Sequence, residues 1–146
     1  MSITPNFVPR EYKTLNILLS VNGAEDALRF YNSAFGAEVI MKLQDANGVV
    51  RHSEIKIDDT IIMLAESECP TNGNGVIFKL YTGDASFLME SAIKAGCEQV
   101  SPLEVEINGD RSGKIKDPFG YQWIISTHIE DVTAKEMQRR FNELSS

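Results

Sequence analysis

Cysteine is scarce in this 146-residue chain: Cys69 and Cys97 stand far apart, without the density of a disulfide framework or the paired spacing of a zinc site. Both are read as free thiols, with Cys97, next to Gly96, as a small core or turn residue. Basic residues are in deficit, 14 Lys and Arg against 21 Asp and Glu, for a net charge of −7. That balance disfavours nucleic acid and anionic membranes as partners, because both are bound through clustered cations. No apolar run is long enough to span a bilayer, and residues 1–10 hold no signal-peptide core, so the cytoplasm is the expected compartment. Hydrophobic residues make up 42% and charged residues 24%, which is ordinary for a globular protein and excludes disorder as the reading.

What the chain does have is an internal repeat. Residues 15–64 and 76–125 read as the same strand, helix, strand, strand, strand unit at a spacing of about 61 residues. The first copy opens on Asn16-Ile17-Leu18-Leu19 and closes on Ile61-Ile62-Met63-Leu64; the second opens on Ile77-Phe78-Lys79-Leu80 and closes on Gln122-Trp123-Ile124-Ile125. A unit this short has a sheet face it cannot cover alone. Two such units are therefore expected to associate and to form a cleft where their sheets meet, and function is sought there.

Residues 1–13, with two prolines and little periodicity, suit an extended arm. Asn22, with Glu25 three residues on, predicts a capped helix that turns Ala27, Leu28, Tyr31 and Phe35 inward and stops at Gly36. A strand over 38–42 leads to Asp45-Ala46-Asn47-Gly48, whose Asn-Gly step signals a hairpin. Alternation over 51–57 places Ile55 and Ile57 toward the helix and His52 and Glu54 on the opposite face. Residues 67–75 form a polar, Gly-rich linker expected to be mobile. The second helix is capped by Asp84 and is expected to bury Phe87, Leu88, Ala92 and Ile93; Asn108-Gly109 marks another turn. Thr133 and Glu136 form a capping box for a last helix, whose stripe of Met137, Phe141 and Leu144 is expected to dock on the same fold, a partner-binding helix being the alternative.

Several ordered stretches carry a resemblance. Asp26-Ala27-Leu28-Arg29-Phe30-Tyr31 with Phe35-Gly36-Ala37, then Arg51-His52-Ser53-Glu54, Gly109-Asp110-Arg111, Asp117-Pro118-Phe119-Gly120-Tyr121-Gln122-Trp123 and Thr127-His128-Ile129-Glu130-Asp131 follow one another along the chain. As an ordered set, running from about residue 12 to 141, this resembles the PhnB-like branch of the glyoxalase, bleomycin-resistance and extradiol-dioxygenase (vicinal oxygen chelate) superfamily. The resemblance implies an α+β fold of two βαβββ modules curled into an eight-stranded cup, plus a C-terminal helix, completed by a homodimer that exchanges modules in some relatives. The chain is then one domain over 1–146: module one at about 12–66, linker 67–75, module two at about 76–128 and the helix at about 133–144. The resemblance implies no single reaction, since one scaffold hosts several chemistries.

Metal-dependent members place ligands on the first and last strands of each module, and these positions carry over to Asn16, Met63, Ile77 and Ile124. Imidazole or carboxylate is wanted there, and three of the four offer neither, so the usual metal site reads as dismantled and no cofactor is expected. A one-residue shift along the last strands reaches only other non-ligands. His52 and Glu54, two apart on one strand, share a face and suit either a metal or a base with its orienting carboxylate, or simply a structural hydrogen bond. Arg111, after the Gly-Asp turn, is placed to clamp a ligand's anionic group or to pair with Asp110, Asp117 or Glu54. Gln122, in phase with Ile124, faces the cup, whereas Trp123 and Ile125 face the helix. His128, just past the last strand, anchors the C-terminal helix.

The leading function is a small-molecule-binding protein whose cup is lined by Asn16, His52, Glu54, Met63, Ile77, Arg111, Gln122 and Ile124, binding, sequestering or transforming an organic ligand without metal. Two alternatives differ in class: a metal-dependent lyase or oxygenase relocated to His52 and Glu54, and a protein-interaction module with a filled cup. The expected partners are a small organic ligand and a second copy of the chain.

Overall fold

The structure, a computed structural model, describes residues 7–145. The first half of the predicted arm, residues 1–6, lies outside the described residues; the second half is not extended, since Tyr12 N–H donates to Pro9 C=O at 3.2 Å and closes a turn. The chain is α+β and divides into two compact units at residues 72 and 73. None of the described helices is long and apolar enough to cross a membrane.

The first unit contains β1 (Ile17–Val21), α1 (Ala24–Phe35), β2 (Glu38–Gln44), β3 (Val50–Ile57) and β4 (Thr60–Glu66). Its mixed sheet runs β1-β4-β3-β2, with β1 parallel to β4 and the other pairs antiparallel. The second unit repeats the plan with β5 (Ile77–Tyr81), α2 (Ala85–Ala95), β6 (Glu98–Val105), β7 (Asp110–Lys116) and β8 (Gln122–His128), in the order β5-β8-β7-β6. The repeat survives at the level of register: Ile17 pairs with Ile62, and 61 residues on from each Phe78 pairs with Trp123. The fold therefore consists of two βαβββ modules, followed by α3 (Ala134–Ser145).

Each helix covers one face of its own sheet. In the first unit Ala27, Leu28, Tyr31 and Phe35 of α1 are buried with Leu19, Val21, Ile55 and Leu64. In the second, Ala85, Met89 and Ala92 of α2 are buried with Ile115, Trp123 and Ile125. The phase of α2 differs from the expected one, because Phe87 is 67% exposed and Ile93 also faces outward. The reason is Gly113 on β7: a Cβ there would lie 2.9 Å from Met89 Sδ, so the missing side chain makes the hollow that Met89 fills.

Capping also differs from expectation in the first unit. Gly23, at φ +95°, precedes α1, and Asn22 caps nothing. Instead the carboxylate of Glu66, at the end of β4, accepts from Gly23 N–H at 2.9 Å and Ala24 N–H at 3.0 Å. Thr127 stands 61 residues later and performs the same service, its hydroxyl accepting from Ala85 N–H at 2.9 Å while Asp84 caps Phe87 N–H. The linker is tied at Thr71, whose N–H donates to Ser20 Oγ at 2.9 Å.

Two turns match their sequence signals. Asp45 accepts from Asn47 and Val49 N–H across the Asn47-Gly48 hairpin. In the β7–β8 turn, Asp117 Oδ1 accepts from Phe119 and Tyr121 N–H while its Oδ2 accepts from Trp123 Nε1 at 2.9 Å, so this buried carboxylate organises the Asp-Pro-Phe-Gly turn. The apolar stripe of α3 does not dock as expected, since Leu144 is 73% exposed and Phe141 is exposed as well. Polar tethers hold the helix instead: Arg140 forms a two-pronged pair with Glu130 at 2.8 and 3.0 Å and reaches Ile107 C=O.

Candidate functional site

Strand alternation gives each sheet a second face that carries no helix. On the first sheet, register aligns Leu18, Met63, Glu54 and Met41 in one row across β1, β4, β3 and β2. The next row is Ser20, Ala65, His52 and Leu43. Glu54 is thus a carboxylate among apolar neighbours, and it is only 7% exposed. Burial of such a group is costly unless it is hydrogen-bonded, and here Tyr12 from the N-terminal segment donates its hydroxyl to Oε2. That bond, reinforced by burial and by the charge of Glu54, pushes the Tyr12 hydroxyl above its usual pKa. His52 Nε2 lies 3.7 Å from the other oxygen of Glu54.

On the second sheet the helix-free face is more polar. Ile77, Gln122 and Lys116 form one row; Lys79, Ile124 and Lys114 the next; Tyr81, Ser126 and Ser112 the third. One row further on lies Asp110, 1% exposed, paired across the ladder with His128. Its Oδ2 accepts from Lys79 Nζ at 2.5 Å, Tyr81 Oη at 2.7 Å and Asn108 Nδ2 at 3.2 Å, and its Oδ1 meets His128 Nδ1 at 2.7 Å. Burial pushes the Asp110 carboxyl up, but Lys79, His128 and Tyr81 outweigh it and hold it at about 2. Lys79 is raised in turn: burial works against its charge, and Asp110 and Tyr81 overcome that.

His128 has a carboxylate on each ring nitrogen, since Nε2 lies 2.8 Å from Asp131 Oδ1. Only the imidazolium can donate to both, so this geometry belongs to the charged ring. Asp110 first and Asp131 second raise its pKa accordingly. The ring therefore links β8 to the segment that leads into α3.

The structure brings some of the sequence-predicted site residues together and separates others. His52, Glu54 and Met63 share the helix-free face of the first sheet, and Ile77, Gln122 and Ile124 that of the second. Asn16 is not on the first strand; it precedes β1, and its amide is bonded to the backbone of Lys13 at 2.7 and 3.1 Å. Arg111 leaves the group as well. It lies on the helix-covered side, where Nη1 donates to Ser86 Oγ of α2 at 2.8 Å, rather than pairing with Asp110, Asp117 or Glu54. Sequence reasoning missed Tyr12, Lys79, Tyr81 and Lys114. The alternation of β5, with Ile77, Lys79 and Tyr81 in one phase, could have found two of them; nothing in the aperiodic segment around Tyr12 points to Glu54.

At the four positions where the resemblance implies metal ligands stand a thioether, two aliphatic chains and an amide already bonded to backbone. That donor set does not fit a divalent metal. No group of three or more His, Cys, Asp or Glu among the described residues is arranged to hold one. Cys97 is buried, and burial, with Asp117 adding to it, pushes its thiol up to about 12. It is a packing group rather than a nucleophile.

A family model for the glyoxalase/bleomycin resistance protein/dioxygenase superfamily matches residues 14–125. An uncharacterized Arabidopsis thaliana protein, At5g48480, is 30% identical over 138 residues, covering 85% of this chain and 82% of that one. Its crystal structure matches with a TM-score of 0.63 over 79% of this chain and 98% of that one. A PhnB protein from Bacillus cereus (17% identical, 79% and 99% covered, TM-score 0.64) and a fosfomycin resistance protein, FosX, from Mesorhizobium loti (17% identical, 88% and 98% covered, TM-score 0.63) share the fold.

Proposed function

The chain belongs to the glyoxalase/bleomycin resistance protein/dioxygenase superfamily, and from that membership we propose that it binds a small organic molecule on its helix-free sheet surface without the superfamily's usual metal. The observation that carries this reading is the floor formed by Ile77, Gln122 and Ile124. Ile77 is exposed, Ile124 is half-buried, and the Gln122 amide between them has no hydrogen-bond partner among the described residues. Apolar side chains beside an amide whose donor and acceptor are open to a ligand are the kind of lining that small-molecule sites use. The side chains at positions 16, 63, 77 and 124 support metal-free binding, because none supplies imidazole or carboxylate. The PhnB-like branch is the finer assignment, supported by the ordered stretches from Asp26 to Asp131.

Thermal denaturation against a broad panel of aromatic, peptidic and keto-acid compounds tests the proposal. Bound ligand raises Tm in proportion to ln(1 + [L]/Kd), and no shift across the panel at high concentration would overturn it. A relocated metal site at His52 and Glu54 is the competing reading, favoured by their 3.7 Å separation. Tyr12 occupies the second oxygen of Glu54, which leaves that site two donors at most. Elemental analysis of protein purified without chelator separates the two: we expect less than about a tenth of a metal ion per chain, whereas roughly one would favour the relocated site.

A further inference from the structure

Arg111, the cation that the sequence offers a ligand, is turned to α2 and bonded to Ser86. The helix-free face of the same strand presents two other cations, Lys116 exposed at the strand's end and Lys114 half-buried in its middle. Gly113 points at Met89 and Ile115 is fully buried beneath α2, so Lys114 between them projects away from the helix. In register it lies between Ile124 on β8 and Ser101 on β6. It is half-buried, and it has no ion-pair or hydrogen-bond partner among the described residues. Its neighbour in the same row, Lys79, is by contrast bonded to Asp110 at 2.5 Å. A mid-strand ammonium without an acid is notable in a chain with 21 acidic residues to 14 basic ones.

Gln122 pairs with Lys116, two residues along β7 from Lys114, so the two side chains are diagonal neighbours about 7–8 Å apart at their bases. The long lysine stem closes that gap. We infer that Lys114 and Gln122 recognise the carboxylate of a small organic acid, whose apolar body lies on Ile77 and Ile124. This rests on the binding surface proposed above and names its ligand class. One ammonium and one amide match the charge and the two oxygens of a monocarboxylate. A phosphate dianion is better served by a guanidinium fork or a helix N-terminus; Arg111 and the N-terminus of α2 both lie on the other side of this sheet.

The test is titration calorimetry of the full chain at low ionic strength with matched acid and amide pairs: benzoate and benzamide, hexanoate and hexanamide, indole-3-acetate and indole-3-acetamide. Wild-type protein should favour the acid of at least one pair about tenfold. Lys114→Met should abolish that preference by weakening the acid about tenfold more than the amide, and Lys114→Arg should retain it; melting curves verify that both variants fold. Equal binding of acids and amides by wild type, or a preference that survives in Lys114→Met, overturns the inference and leaves the binding surface standing. Absence of binding in every pair overturns the surface itself, and the inference with it.

Discussion

Asp110 is a carboxylate taken almost entirely out of water, and it remains ionised because four donors converge on it. Its native pKa of about 2 means that its contribution to stability is present above the ordinary carboxyl range and is lost as pH falls toward that value. His128 has the opposite sign. Because folding raises its pKa, its contribution is complete below the ordinary imidazole value of about 6.5 and fades as pH climbs through the raised native one. With only His52 and His128 in the sequence, NMR titration resolves both rings. We expect His128 to titrate above the ordinary value in wild type and to fall toward it in Asp110→Asn; an unmoved midpoint would remove Asp110 as the principal cause. Gly109 offers a second test at this scale. It sits at φ +88°, and a Cβ there would lie 1.9 Å from Glu130 C=O, whose own N–H bonds back to Gly109 C=O. Gly109→Ala should cost roughly 2–4 kcal/mol in chemical denaturation, since backbone must move. A cost within about 0.5 kcal/mol would show the turn to be yielding.

The elements show how one plan is realised twice with different chemistry. Each helix begins against the end of the last strand of its unit, and the strand's side chain accepts its first N–H groups: a carboxylate from Glu66, a hydroxyl from Thr127. Both devices satisfy donors the helix cannot satisfy itself, and the negative charge of Glu66 also complements the helix dipole. Glu66→Ala should destabilise the protein by about 1–2 kcal/mol and Thr127→Val by about 1 kcal/mol. Denaturation curves for the two variants check this, and a Glu66 cost no larger than that of Thr127 would remove the dipole contribution. Neither cap is local in sequence, since Glu66 lies 42 and 43 residues from the groups it serves. This is why Asn22 looked like the cap. Helical phase failed in α2 for a related reason: Phe87, Leu88, Met89, Ala92 and Ile93 leave more than one apolar face, and the hollow over Gly113 selects Met89.

For the whole molecule, the proposal of a homodimer yields a plain expectation. Light scattering at micromolar concentration should return twice the 16.3 kDa chain mass; a monomer would refute it. Exposed apolar side chains support the expectation, among them Leu18, Leu43, Phe141 and Leu144. A protein-interaction role for α3 is instead favoured if the chain is monomeric and binds a different partner through Phe141 and Leu144.

The succession of strands and helices along each unit, the final helix and the three loop signals at Asn47-Gly48, Asn108-Gly109 and Pro118-Phe119-Gly120 were legible in the sequence, whereas the order of strands within each sheet was not. They depend on periodicity and backbone preference, which act over a few residues. The faces of β3 and β8 were legible for the same reason, so His52 with Glu54, and Gln122 with Ile124, were placed correctly on their strands. The repeat, being a property of order along the chain, needed no coordinates at all. Tertiary structure alone decided which groups meet across strands. The Tyr12 hydroxyl on Glu54, the Lys79 and Tyr81 donors on Asp110 and the diversion of Arg111 to Ser86 each join residues 25 or more apart, and Lys114 is set apart by the lack of a partner among the described residues. Charge in a side chain is written in the sequence, but its cost and its use depend on what burial leaves beside it.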